Sequence, residues 1–108
     1  MPTNVLFVCS QNKLRSPTAE QVFSSWESLE CDSAGLNNGA EVELSSEQVK
    51  WADVIFVMER QHRNKLTRRF KQHLNSKRVI VLGIPDDYEF MDPELIDILG
   101  AKVPQFLR

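Results

Sequence analysis

Asn4-Val5-Leu6-Phe7-Val8, running on into Cys9-Ser10-Gln11-Asn12-Lys13-Leu14-Arg15-Ser16-Pro17, is the stretch from which the rest of this chain can be read. The five-residue run is apolar without alternation, as expected of a strand buried on both faces of a sheet. Ser16-Pro17 reads as a helix N-cap followed by proline at the first helical position. Ala19, Val22, Phe23 and Trp26 then recur at helical spacing as one apolar stripe. A buried strand, a tight loop and a helix therefore follow one another within about twenty-five residues.

The same alternation continues along the chain. Residues 29–34 read as a second strand ended by Gly35, with Asn37-Asn38-Gly39 as loop chemistry. Ser45 and Gln48 make a capping box, and Leu44 with Val49 a hydrophobic staple, for a short helix ending near Trp51-Ala52. Residues 54–58 form a third buried run. Met58, His62, Leu66, Phe70 and Leu74 then repeat every four residues on one helix face, and residues 79–82 form a fourth strand. Asp92-Pro93 opens a last helix, with Met91 and Ile96 as its staple, Leu95 and Leu99 inward, and Gly100 as its stop. Such alternation predicts an α/β fold, a three-layer sandwich with a four-stranded parallel sheet and helices on both faces. Ligands in open parallel sheets bind beyond the carboxyl ends of the strands, where Cys9 falls.

The chain has 108 residues, 42% hydrophobic and 26% charged, with two cysteines and a formal net charge of -2. That suits one domain over 1–108 with its own core. No apolar run is long enough to span a membrane, and no signal peptide is visible. Two cysteines do not make a disulfide framework, so the cytoplasm is the expected compartment, and a monomer the expected state. Charge is uneven along the chain. Arg60, Arg63, Lys65, Arg68, Arg69, Lys71, Lys77 and Arg78 face one acid, Glu59, over 59–78, while 86–97 holds six acids and no base. The basic segment reads as a solvated helix face or as a surface drawing in anions.

The loop carries the chemistry. Arg15 follows Cys9 six positions later, bracketed by a buried strand and a helix N-terminus. Backbone N–H groups of such a loop, together with the helix dipole, make an anion cradle from Ser10, Gln11, Asn12, Lys13, Leu14, Arg15 and Ser16. The same field favours thiolate over thiol at Cys9. Arg15 can offer two parallel N–H bonds to phosphate oxygens, which lysine cannot. Ser16 can donate to the Cys9 sulfur or cap the helix, two compatible roles, and Asn12 tolerates a left-handed backbone.

The spacing C-x5-R-S after a strand resembles the signature of the low-molecular-weight protein tyrosine phosphatases. Val5-Leu6-Phe7-Val8-Cys9 and Arg15-Ser16-Pro17-Thr18-Ala19-Glu20 are similar to that family's first strand and first helix. Ser33-Ala34-Gly35 resembles its second-strand ending, and Trp51-Ala52-Asp53 through Val57-Met58 its third strand. Ile84-Pro85-Asp86-Asp87-Tyr88 resembles the loop that holds the family's general acid. Gln11 stands where the family usually has glycine, Leu14 where it often has a second cysteine, and residues 36–44 lack the aromatic wall of a phosphotyrosine pocket. The resemblance is to a shortened, bacterial-type member.

That resemblance implies a phosphomonoester hydrolase with a cysteinyl-phosphate intermediate. Cys9 is then the nucleophile, Arg15 the phosphoryl clamp and Asp86 the general acid, with Asp87 the alternative acid and Tyr88 a possible pocket wall. No cofactor and no metal is implied, and no His/Cys cluster has metal-ligand spacing. The substrate is a phosphorylated one: a phosphotyrosine protein, a small phosphomonoester or a nucleic-acid end. The rival readings are a degenerate phosphatase that only binds phosphate, and a thiol-dependent arsenate reductase, which would need cysteines downstream that this chain lacks. His62 and His73 read as helix residues and Cys31 as a buried thiol.

Overall fold

In the computed structural model, which describes residues 2–107, the expected alternation is realised in full. The elements are β1 (Thr3–Cys9), α1 (Arg15–Phe23), β2 (Leu29–Gly35), α2 (Ser46–Trp51), β3 (Val54–Val57), α3 (Arg60–Phe70), β4 (Arg78–Val81) and α4 (Pro93–Lys102). Short 3-10 turns at Lys71–His73 and Pro104–Phe106 follow α3 and α4. The sheet is four-stranded and wholly parallel, in the order β2-β1-β3-β4.

β1 shows why its run is apolar throughout. Val5, Phe7 and Cys9 point into one core with Ala19 and Phe23 of α1 and Leu95 and Leu99 of α4. Leu6 and Val8 point into the other, with Val49 of α2 and Leu66 and Phe70 of α3. The period-two alternation of a strand thus feeds two cores, and polar residues have no side to occupy. Phe7 stacks between Phe23 and Phe56, with ring centroids 5.8 and 5.5 Å away. Each such fully buried ring contributes about 1.5–3 kcal/mol.

Several helix ends follow the expected signals, and others shift. Ser45 caps α2 with its capping box to Gln48, and Asp92 caps α4 through the Glu94 amide. α1, however, starts at Arg15 with Leu14 as its N-cap, so Ser16 lies inside the first turn and is buried. Its hydroxyl is engaged elsewhere, as shown below. Trp26 leaves the stripe: α1 ends at Phe23, and the indole packs edge-on against that ring from an exposed turn. Gly100 does not stop α4, which continues to Lys102 because Val103 is buried and draws the last turn onto the core.

The strand order reverses direction at β1, whose neighbours are β2 on one side and β3 on the other. A crevice opens at such a switch point beyond the strand ends. Cys9 and the residues following Val57 meet there. Among the described residues, no helix is long and apolar enough to cross a membrane.

Candidate active site

The loop after β1 is held from outside by its carbonyls. Cys9 O accepts from the Leu36 amide at 3.0 Å, Ser10 O from Asn37 at 2.9 Å and Gln11 O from Glu41 at 2.9 Å. In a trans peptide the N–H points opposite its carbonyl, so the amides of Ser10, Gln11 and Asn12 turn inward. Asn12 supplies the left-handed turn that this winding needs, at φ 55°. Gly35 makes the close approach possible: a Cβ there would stand 2.7 Å from Ser10 O and 2.8 Å from the Gln11 carbonyl carbon. Lys65 and Arg69 of α3 brace the supporting segment by bonds to Asn37 Oδ1 and Leu36 O.

Inside the winding lies a cavity of about 80 Å³ lined by Cys9, Ser10, Gln11, Lys13, Leu14, Arg15 and Asp86. It has room for a tetrahedral oxyanion. The Cys9 Sγ is buried and lies 3.0 Å from Ser16 Oγ. A chain of side-chain bonds leads up to that contact. Ser33 Oγ donates to Glu20, and Asn12 Nδ2 donates to both Ser33 Oγ and Ser16 Oγ at 2.9 and 3.1 Å. Ser16 accepts from Asn12 with one lone pair, and its own proton is available to be donated to the sulfur. Glu20, Ser33 and Asn12 thus hold the Ser16 hydroxyl in place beside the sulfur.

Arg15 sits at the rim yet is only 3% exposed. Its Nη1 donates to Glu59 Oε2 at 2.5 Å and to Ile84 O at 2.8 Å, and its Nε lies 3.8 Å from Asp86 Oδ1. Hydrogen bonding from Arg15 holds the Glu59 carboxyl below the usual range, so the pair is ionised.

His62 supports the loop from the α3 side, behind Ser10. The Glu59 backbone N–H donates to His62 Nδ1 at 3.0 Å, so the ring proton sits on Nε2, which donates to Ser10 Oγ at 2.9 Å. Burial, followed by the charge of Arg15, lowers the imidazole from 6.5 to about 4. The unfolded chain therefore binds this proton between pH 6.5 and 4 while the folded chain does not. Stability is fully present above pH 6.5 and is lost as the pH falls towards 4. Melting temperatures across this window are expected to fall more steeply for wild type than for His62→Gln, which has no group to titrate. Parallel curves would remove His62 from the acid sensitivity.

Every residue expected in the loop reaches the cavity or supports it. Asp86 lines it from an exposed position, whereas Asp87 does not, and Tyr88 packs half-buried against the core with α4 rather than along the opening. Cys31, on β2, pairs with Val5 of β1, whereas Cys9 pairs with Gly35. Burial, Glu20 and Glu30 push the Cys31 thiol up to about 11, so it stays protonated. Glu59 and His62 were not expected as site residues. The signal for Glu59 was positional: it follows β3, which neighbours β1, at the same strand ends. Of the eight bases over 59–78, Lys65, Arg69, Lys77 and Arg78 hold carbonyls or the Asn37 side chain. A wider furrow of about 600 Å³ lies between Arg68, Arg69, Lys71, Gln72 and Asn75, but none of the loop residues borders it. Among the described residues no group of three His, Cys, Asp or Glu side chains is gathered as a metal would require.

The likenesses to known proteins fall on these same elements. Residues 4–50 match the family model described as low molecular weight phosphotyrosine protein phosphatase. Curated proteins give no match by sequence. Among solved structures, the YwlE arginine phosphatase from Geobacillus stearothermophilus superposes with a TM-score of 0.74 at 20% identity, covering 92% of this chain and 89% of that one. The tyrosine phosphatase Wzb from Escherichia coli K30, in complex with phosphate, also gives 0.74 at 20% identity, over 94% and 93%. A protein tyrosine phosphatase from Entamoeba histolytica gives 0.71 at 24% identity, over 90% and 88%. The fold is theirs, and the resemblance read in the first half of the sequence is borne out.

Proposed function

We propose, for a chain that matches the low molecular weight phosphotyrosine protein phosphatases in its first half and shares their fold throughout, that it is a cysteine-dependent phosphomonoester hydrolase. The observation that carries this reading is the Cys9 sulfur beside the Ser16 hydroxyl, in a phosphoryl-sized cavity with Arg15 and Asp86 at its mouth. Residues 1–108 act as one such domain. Two free thiols accord with a cytoplasmic enzyme, which we take to be a monomer.

The reaction proceeds in two displacements. The Cys9 thiolate attacks phosphorus, forming the S–P bond as the P–O bond to the leaving group breaks. Inward amides of the loop and the free edge of Arg15 hold the equatorial oxygens, where charge is spread in the transition state. Asp86 gives its proton to the departing oxygen. Water then attacks the cysteinyl-phosphate, Asp86 takes a proton from it, and the S–P bond breaks to return the thiolate. A test is hydrolysis of an aryl phosphate with trapping of a phosphocysteine; absence of both would overturn the reading in favour of a phosphate-binding module.

Asp86 and Asp87 separate by leaving group. Asp86→Asn is expected to slow an alkyl phosphate at least about tenfold more than an activated aryl phosphate, since only the alkoxide needs a proton. Asp87→Asn, whose side chain lies off the cavity, is expected to affect both less. Steady-state kinetics on the two esters decide it, and the reverse pattern would move the acid to Asp87. Substrate class is read by turnover on a phosphotyrosine peptide, a small phosphomonoester and a nucleic-acid end. Phosphoarginine makes a fourth arm, given the arginine phosphatase among the structural neighbours.

A further inference from the structure

Arginine carries five N–H donors on a rigid plane, and two edges of that plane can grip a phosphoryl group. Here Nη1 is fully occupied, one hydrogen on Glu59 Oε2 and the other on Ile84 O. The Nε and Nη2 donors remain, on the edge that Asp86 faces at 3.8 Å. We infer that Glu59 is the positioning residue that selects which edge of Arg15 meets the phosphoryl group, and that its charge limits how tightly an anion is held there. This rests on the hydrolase reading above.

Glu59 is itself fixed. It is the N-cap residue of α3, where a carboxylate is favoured by the helix dipole. His62 Nδ1 holds its backbone N–H, Gln61 Nε2 donates to its Oε1 at 3.2 Å, and Arg15 takes its Oε2. The side chain is 31% exposed against 4% for that of Arg15, so the acid stands between the guanidinium and solvent. Two consequences oppose each other. Ordering of the guanidinium favours the in-line geometry that the transition state needs. The negative charge beside it weakens attraction for a dianion in the ground state. A residue that merely supported the fold would help both steps or neither.

The test uses the full chain, with inorganic phosphate titrated by calorimetry and an aryl phosphate for turnover. Glu59→Ala is expected to bind phosphate about fivefold more tightly, the size of one partly exposed charge interaction. Its kcat is expected to fall about 10- to 100-fold, because Arg15 is no longer held to one edge. Glu59→Gln keeps an acceptor for Nη1 without the charge. It is expected to match the gain in affinity while losing much less turnover. Unchanged affinity and rate in both variants would overturn the inference. So would a parallel loss of affinity and rate with a lowered melting temperature, which marks a structural support. Were the wild type to bind phosphate but hydrolyse no ester, the hydrolase reading would fail. Phosphate affinity in the two variants would then decide the charge effect of Glu59 by itself.

Discussion

Cys9→Ser is expected to reduce turnover of an aryl phosphate by about 10⁴-fold or more, the scale of losing a nucleophile, while leaving phosphate binding and the fold largely intact. The exchange alters one atom at a buried position, and a serine hydroxyl can keep the contact with Ser16. The proposed cradle consists of the loop amides and Arg15, neither of which the substitution touches. Steady-state kinetics, thermal melting and a phosphate titration on the same preparation separate the effects. A variant that kept more than about 1% of the wild-type rate would show that no covalent step runs through this sulfur.

Arg15→Lys is expected to have the next largest effect, about 3–4 kcal/mol in barrier, or 10²- to 10³-fold in kcat. The charge is conserved, so simple attraction does not predict such a loss. Geometry does. Arg15 bonds to Glu59 and to the Ile84 carbonyl through Nη1, and its other edge is the one proposed to meet the phosphoryl oxygens. An ammonium with three donors on a flexible stem cannot satisfy both sides at those distances. Buried as it is, the lysine would be drawn to Glu59 and away from the cavity. Near-normal kinetics in this variant would reassign Arg15 to a structural tie between α1, Glu59 and the segment around Ile84.

Much of the fold was legible because its signals are local. A two-sided apolar run gave β1, Ser45 with Gln48 gave the start of α2, and Asp92-Pro93 gave that of α4. Ser16 does not cap α1 because the helix already starts at Arg15, which places its hydroxyl inside the first turn between Asn12 and the Cys9 sulfur. Within the site, the loop was legible for the same reason: Cys9 through Ser16 is one continuous segment. Glu59 and His62 come to it from fifty residues away, and residue type alone does not mark them. An acid suits any helix start, and a histidine on an apolar stripe suits any core. Only the adjacency of β1 and β3 gives them a role. Tyr88 shows the opposite case, a residue next to Asp86 and Asp87 in sequence that packs half-buried against the core and does not line the cavity.

The outward ties on the carbonyls of Cys9, Ser10 and Gln11 have a thermodynamic meaning for the ligand. Ordering a free loop around an anion would cost roughly 1–2 kcal/mol per residue in lost backbone freedom. In this chain that ordering is accomplished during folding, when residues 36, 37 and 41 lock the winding over Gly35. On the proposed function, an arriving phosphate would therefore meet a receptor with little freedom left to lose, and its binding energy would go into affinity rather than into organising the site.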